Sequence, residues 1–436
     1  MGTATTTTRQ LAVGLNARPA DVCRALRREQ DATLWLDGAG GFADRWPTGP
    51  LVALQPTTLP WTGLQGVASL DALVAARRRA GGPAETGVAA LVSYDLGRGS
   101  NEPGGFELVA LVVDRSLRWS PSGAALLTER GAGDRLGRIA CGLPAGEAVS
   151  SAGARRVGRP ATSLPRERYL RAVERVKQHI DRGDIYQANL CQRFEVGCRG
   201  DPFETYVRLT QASPAPRSAW LEVPGLSLVS LSPEMFFDAR GTGEIETCPI
   251  KGTRARGSTP EADRAAAAEL ARSEKDRAEL MMIVDLERND LSRVCRSGTV
   301  EVPELAALRS YAAVHHLVAR VRGRLAAGVG IAEILRATFP GGSISGAPKV
   351  RAMQILDELE PVRRGFFTGS LFWFGDDGSM ESSILIRTWV FAGGRGRLGA
   401  GGGVVADSDP LEEWNESNQK ARVLALALGF DPEEAA

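Results

Sequence analysis

Lysine is scarce in this chain. Of its 53 basic residues only Lys177, Lys251, Lys275, Lys349 and Lys420 are lysine, and arginine fills every other basic position, including the whole N-terminal third. A guanidinium stays charged above about pH 12, whereas a partly desolvated ammonium can lose its proton and attack an electrophile. A lysine kept against that bias is a candidate for chemistry that arginine cannot perform. Lys177 and Lys275 stand among charged residues and read instead as helix-surface groups. Cysteine is sparse too: the six, at positions 23, 141, 191, 198, 248 and 295, show no C-x-x-C spacing. That pattern argues against a disulfide framework or a zinc site and suits a reducing cytoplasm. No apolar run approaches the roughly 18–20 residues of a membrane span. The opening Met1-Gly2-Thr3-Ala4-Thr5-Thr6 lacks the basic and apolar regions of a signal peptide, and its formal match to a myristoylation pattern reads as chance in a Thr-rich tail. Excess charge is also missing: 53 basic and 52 acidic residues leave +1, which gives no reason to expect nucleic acid as a partner.

What is present is the composition of a globular protein, 43% hydrophobic and 24% charged over 436 residues. Residues 1–10 read as a disordered tail. Residues 11–150 read as mixed strands and short helices, with strands expected at Thr33–Asp37, Val88–Tyr94 and Leu108–Val113. Gly38-Ala39-Gly40-Gly41-Phe42-Ala43 imitates a dinucleotide fingerprint, but no helix pattern follows and Arg45-Trp46-Pro47 interrupts it, so a turn is expected. Residues 151–164, rich in Ser, Gly, Pro and Arg, read as a linker or surface loop, and residues 165–433 as the catalytic region. Within the latter, a helix is expected over Arg166–Arg182, ended by Gly183, with strands at Gln187–Phe194 and Ser227–Leu231. A second helix starts at Ser273, where Ser273-Glu274-Lys275-Asp276 resembles a capping box, and runs to about Asn289. The last helix is capped by Asp409, carries Pro410 at its first position and ends at Gly429.

Asp276 and Glu279 share one helix, and Glu413, Glu416 and Lys420 fall on one side of the last, at about 100° per residue. The first reading is a solvated face with an i,i+4 Glu–Lys pair. The other is two acidic helices facing each other across magnesium, which takes a few carboxylates plus waters and leaves room for an anionic substrate. Spacing alone does not choose between them. The segment Gly341–Lys349 (GGSISGAPK), which includes Ser343 and Gly346, precedes a helix and offers backbone N–H groups to a carboxylate or phosphate; it lacks the ending of a P-loop. Gly399–Gly403, centred on Gly401, could also approach a ligand closely, and both segments equally read as flexible connections. Glu234 and His316 are weak signals alone. Arg387 reads as a charged residue inside an apolar strand, Ile384–Thr388, and calls for an anionic partner.

In order along the chain, GDIYQANL (183–190), SPEMFF (232–237), PIKGTRAR (249–256), EKDRAELMMIVDLERNDLSRV (274–294), VHHLVARV (314–321), GGSISGAPK (341–349), SILIRT (383–388) and GGGVVADSDPLEEWNESNQK (401–420) resemble the chorismate-utilising enzymes. That family includes component I of anthranilate synthase and of aminodeoxychorismate synthase, and the isochorismate and salicylate synthases. TLWLD (33–37) and ALVSYDLGR (90–98) are looser counterparts. The resemblance implies an α/β (α+β) fold: a large antiparallel β-sandwich flanked by helices, with the active site between the sheets. It implies Mg2+ as cofactor, with Glu279 and Glu416 as direct ligands and Glu413 and Asp276 acting mainly through water. It also implies that Arg387, Lys420 and backbone groups around Gly401 and Gly346 bind the substrate's carboxylates with help from Ser343, and that His316 lies near the ring's C4 oxygen. Phe367 stands where relatives can carry Tyr, so no hydroxyl contact is expected there.

Two positions separate the branches of the family. Isochorismate and salicylate synthases carry a water-activating Lys at the place of Gln187, and an amide cannot act as that base. Anthranilate synthases usually read PIAGT where this chain reads PIKGT, so Lys251 points to the aminodeoxychorismate branch, with Glu234 as the general acid upstream. The expected reaction joins chorismate and ammonia into 4-amino-4-deoxychorismate, for 4-aminobenzoate and folate synthesis, through a covalent Lys251 intermediate. No nucleophile-elbow cysteine of the glutamine amidotransferase kind occurs, so a separate amidotransferase subunit is the expected ammonia source; the lyase that completes 4-aminobenzoate is expected in another protein. Relatives build a tryptophan site near L-x-[ED]-S, but Leu36-Asp37 is followed by Gly38, so tryptophan feedback is not expected. The rival expectations are anthranilate synthase component I, an aminodeoxychorismate synthase of secondary metabolism and, from another class, a non-catalytic regulatory paralogue.

Overall fold

The computed structural model describes residues 8–13, 18–27, 32–37, 46, 49–98, 106–120, 125–130, 152–311 and 314–435. Strand residues alternate between two buried faces. In Thr33–Asp37, Leu34 and Leu36 join the core between the sheets, while Trp35 packs on the opposite side. In Gly87–Val92, Ala89 and Leu91 point one way and Val88, Ala90 and Val92 the other. A period of two with apolar groups on both faces belongs to a sheet covered on both sides.

Among the described residues the two sheets so specified have 12 and 10 strands in antiparallel pairing. These counts include Arg155–Thr162, which pairs with Gln187–Arg199, and Glu301–Ser310, which pairs with Val314–Arg324, beside the runs that follow. The larger runs Thr8–Val13, Ala125–Arg130, Arg115–Trp119, Leu51–Ala53, Thr33–Asp37, Arg217–Val223, Leu226–Ser232, Thr388–Ala392, Arg395–Val404, Gln187–Arg199 and Gly346–Ala347. The smaller runs Ile250–Ala255, Val314–Arg324, Glu244–Thr247, Asp238–Ala239, Met380–Ile384, Ser370–Gly375, Gly87–Val92, Leu108–Val113 and Thr57–Trp61. Leu34, Leu91, Leu111, Leu221, Leu228, Leu371 and Trp373 meet between them. Helices Pro19–Leu26, Pro202–Ala212 and Pro410–Ala427 cover the outer face of the larger sheet. Helices Gly63–Ala80, Glu274–Ser292 and Ile331–Thr338 cover the smaller. The expected β-sandwich flanked by helices is the observed architecture.

Locally encoded elements fall where expected. The helix Arg166–Asp181 precedes Gly183, which has φ 77°. Ser273 caps Glu274–Ser292 by accepting from the Asp276 amide at 3.2 Å. Asp409 caps Pro410–Ala427 by accepting from the amides of Leu411 and Glu412 at 2.9 and 3.0 Å. Three expectations change. Within 151–164, Arg155–Thr162 is a strand paired with Gln187–Arg199, because its backbone finds a ladder partner that its Gly- and Pro-rich composition conceals. Residues 8–10 of the expected tail belong to the strand Thr8–Val13, paired with Ala125–Arg130. Arg387 lies not inside a strand but in the connection between Met380–Ile384 and Thr388–Ala392, with φ 49°. Residues 1–7 and the Gly38–Ala43 turn lie outside the described residues.

Candidate active site

The strand Ile250–Ala255 presents Lys251 opposite Leu317 of Val314–Arg324, and the register slips between Lys251 and Thr253. Gly252 makes the slip possible. Its φ is 68°, and a Cβ there would come within 2.7 Å of Leu270 Cδ1 and 2.9 Å of Asp276 Cγ. The bulge thus brings the lysine strand onto the start of the acidic helix Glu274–Ser292. Among the described residues the Lys251 amine has no hydrogen-bond or ion-pair partner. Its charge acts instead on three carboxylates, Glu234, Glu279 and Glu416.

Glu234 follows the strand Leu226–Ser232 and is 7% exposed. Its backbone is pinned at both ends: its amide donates to Ser232 Oγ at 3.2 Å and its carbonyl accepts from the Ile384 amide at 3.0 Å. Burial pushes the carboxyl above the ordinary carboxylate range, against the opposing pull of Ser343, Lys251 and Lys420. Ser343, in the 3-10 turn Gly342–Ile344, lies near enough to exert that pull. Even so, neither Glu234 Oε1 nor Ser343 Oγ completes a hydrogen bond. Two buried polar atoms thus keep hydrogen-bonding capacity that water or a ligand can take up.

His316 Nδ1 lies 3.2 Å from the Gly252 carbonyl and 3.0 Å from Thr253 Oγ1. A carbonyl only accepts, so this contact assigns the hydrogen to Nδ1 and leaves Nε2 with its lone pair. Burial, and then Arg387 nearby, lower the imidazole's pKa and favour that neutral form. Arg387 itself is exposed by surface area, yet desolvation by its surroundings lowers its pKa. No anionic partner for it occurs among the described residues.

The strand Arg395–Val404 brings its glycines against the last helix. A Cβ on Gly402 would meet Glu413 Oε2 at 2.8 Å and both Glu416 Oε1 and Lys420 Nζ at 3.8 Å, while one on Gly403 would meet Gln187 Nε2 at 2.0 Å. Lys420 Nζ donates to the Gly401 carbonyl at 3.1 Å and pairs with Glu416 at 2.6 Å. Gln187 is 1% exposed, and its Oε1 has no partner. It sits where Gln187–Arg199 pairs with Gly346–Ala347.

The four acidic residues divide into two kinds. Glu279 forms no hydrogen bond among the described residues; burial raises its pKa, Lys251 and Lys275 oppose that, and Asp276 and Glu416 push it further up. For Glu416 burial also works upward, but Lys420, Lys251 and Lys275 outweigh it and hold the carboxylate low. Two carboxylates from different helices therefore repel across a gap. Asp276 is tied to Arg254 at 3.3 Å, and Glu413 accepts from Ser408 Oγ at 2.6 Å. No three acidic, histidine or cysteine groups among the described residues converge into a closed cage. An open carboxylate pair nevertheless suits magnesium, which keeps waters and substrate oxygens as its remaining ligands.

Sequence reasoning missed a buried layer beneath the site. Glu287 is 5% exposed with Oε2 unpaired, and burial followed by Glu234 and Asp290 raises its pKa well above the ordinary range. Lys349 Nζ donates to Asp290 at 2.5 Å and to the Thr338 carbonyl at 2.7 Å. Arg364 pairs with Glu360 at 2.6 Å and donates to the carbonyls of Asn189 and Ile344 at 2.6 and 2.8 Å, tying the Gln187 strand to the Ser343 turn. The available signal was acidic residues, Glu287 and Asp290, at i,i+3 beside the apolar Ile283, Val284 and Leu291.

The family model that matches residues 56–426 describes a chorismate binding enzyme. The chain belongs to that family. Over 274 residues, 63% of the chain and 58% of the relative, it is 44% identical to aminodeoxychorismate synthase component 1 of Bacillus subtilis. Over 268 residues, 62% of the chain and 53% of the relative, it is also 44% identical to anthranilate synthase component 1 of Geobacillus stearothermophilus. The aligned segment thus spans under two-thirds of each relative's length. The menaquinone-specific isochorismate synthase of Escherichia coli shares the fold, with a TM-score of 0.75 at 16% identity over 98% of this chain and 95% of that one.

Proposed function

We propose that the protein is component I of an aminodeoxychorismate synthase, converting chorismate and ammonia to 4-amino-4-deoxychorismate. Identity does not separate this reading from anthranilate synthase, since relatives of both names match at 44%. The observation that carries it is Lys251: an unpartnered amine within the electrostatic reach of Glu234, Glu279 and Glu416, at a site where Gln187 replaces a water-activating base.

In this mechanism the Lys251 nitrogen forms a bond to C2 of chorismate, the ring double bonds shift, and the C4–O bond breaks with the Glu234 proton leaving on that oxygen as water. His316, with Nδ1–H fixed on the Gly252 carbonyl, offers Nε2 as acceptor to the C4 hydroxyl. Ammonia then adds at C4, the double bonds return, the C2–N bond breaks to release Lys251 as the neutral amine, and the surplus proton on the new C4 nitrogen returns to Glu234. Two successive displacements leave the amine where the hydroxyl stood. Arg387 and Lys420 hold the substrate's carboxylates. Glu279 and Glu416 would bind magnesium directly, with Glu413 and Asp276 acting through water, and the ion would neutralise charge on the ring carboxylate.

Ammonia is supplied by a glutamine amidotransferase subunit in the cytoplasm. In support, burial holds the thiols of Cys191 and Cys198 up at about 12 and 11, so neither is an activated nucleophile. No helix among the described residues is long and apolar enough to cross a membrane. The deciding experiment incubates the chain with chorismate, magnesium and ammonium and identifies the product by mass and fluorescence. Aminodeoxychorismate supports the reading, and anthranilate replaces it with the sister activity.

A further inference from the structure

Three of the five lysines end on a backbone carbonyl. Lys420 reaches Gly401 at 3.1 Å, Lys349 reaches Thr338 at 2.7 Å, and Lys177 reaches Ser408 at 2.6 Å. The first two belong to the site and the layer beneath it. Lys177 does not, and its sequence context marks it as a surface group. It is half-buried instead, on the helix Arg166–Asp181, which packs on the last helix through an edge-on contact of Tyr169 with Trp414 at 5.4 Å. From there its amine crosses to the turn that leads into Pro410–Ala427.

Ser408 in that turn is 2% exposed and is held at three atoms. Its carbonyl accepts from Lys177, its amide donates to the Val405 carbonyl at 3.1 Å, and its hydroxyl accepts from the Val405 amide at 3.0 Å. The same hydroxyl donates to Glu413 Oε1 at 2.6 Å. The other oxygen of Glu413 lies against Gly402, so the whole carboxylate is oriented, one turn from Glu416, which repels it. A compact ammonium satisfies a lone carbonyl, whereas the forked guanidinium is matched to paired acceptors. Lys177 meets the single Ser408 carbonyl in that way.

We propose that Lys177 is a positioning residue for the acidic face of the last helix. By holding the Ser408 turn it fixes Glu413, and through Glu413 the geometry in which Glu416 meets a divalent cation. The inference rests on the reading that Glu279 and Glu416 bind magnesium. It is tested on the full chain by titrating Mn2+ by electron paramagnetic resonance, with Mg2+ as competitor. Lys177→Met, which keeps the aliphatic stem and loses the donor, weakens cation affinity by up to about 10-fold, the lower end of the range for groups bonded to a ligand, because Lys177 acts at a further remove. Ser408→Ala does the same, and the double variant is no weaker than the worse single one, since both cut one path. Metal-free melting temperatures of the single variants stay near wild type. Wild-type affinity in Lys177→Met, or losses that multiply in the double variant, overturns the inference. Should Lys177→Met fail to fold, wild-type affinity in Ser408→Ala overturns it alone. Glu416→Gln separates the two levels. If that variant binds the cation as wild type does, the magnesium reading falls and takes this inference with it. If it loses the cation while Lys177→Met does not, only the role of Lys177 falls.

Discussion

In the proposed function Glu234 is the general acid and Lys251 the nucleophile, and opposing influences meet on Glu234. Burial raises the Glu234 pKa and so favours its protonated form, while Ser343, Lys251 and Lys420 oppose that. A general acid needs that proton, so turnover with ammonium should fall as pH rises through the raised Glu234 value, giving a limb above the usual carboxylate range in a kcat/KM profile. Glu234→Gln removes the proton donor and should cost roughly 10²- to 10⁴-fold in rate while substrate still binds. Lys251→Ala should abolish aminodeoxychorismate formation; wild-type rates in that variant would reject the covalent route. Glu287 makes a separate prediction. Its folded-state pKa is raised, so the native protein keeps a proton that the unfolded chain releases. Its contribution to stability is therefore full below the ordinary carboxylate pKa and declines as pH climbs above it. Glu287→Gln, neutral throughout, should flatten the decline in urea midpoint between pH 5 and 8, and an unchanged slope would show that Glu287 is ionised. At this scale residue types were legible and environments were not. Nothing in the letters near Glu287 says that its Oε2 lacks a partner.

The elements that read best are those whose ends are written locally. Ser273 and Asp409 cap their helices through bonds to amides two or three residues on, so sequence alone places them. Ser273→Ala should cost about 1 kcal/mol in chemical denaturation. Gly252 is a sterner case. A methyl there meets Leu270 and Asp276 in a backbone conformation that L-residues avoid, so Gly252→Ala should destabilise by more than about 1 kcal/mol and impair turnover, with a lowered urea midpoint as the check. The strand Arg155–Thr162 was illegible because its identity depends on the ladder offered by Gln187–Arg199. Arg387 was legible as unusual but misplaced: a positive φ in a connection leaves no periodic trace.

For the molecule as a whole, both sheets are built from the two ends of the chain. Thr33–Asp37 pairs with Arg217–Val223, and Gly87–Val92 pairs with Ser370–Gly375. Residues 152–436 produced alone would expose two long strand edges and half of the core between the sheets. That fragment should fail to show a cooperative unfolding transition, and a well-folded fragment would reject this account of the core. Chelation of magnesium should remove activity with ammonium while leaving the metal-free fold intact by circular dichroism, because the acidic helices are anchored by apolar packing rather than by an ion.

The sequence by itself determined the family, the architecture and the chemical types at the site, because ordered motifs, helix caps and strand periodicity are written in neighbouring residues. The tertiary structure decided which of those groups act together. Lys251, Glu234, Glu279 and Glu416 come from four separate elements, Glu416 from the far end of the chain, and their interplay depends on burial and distance, which only the packed sheets set. Lys177 shows the difference most clearly: a surface lysine in the letters becomes, once two helices dock, the clamp on the turn that holds Glu413.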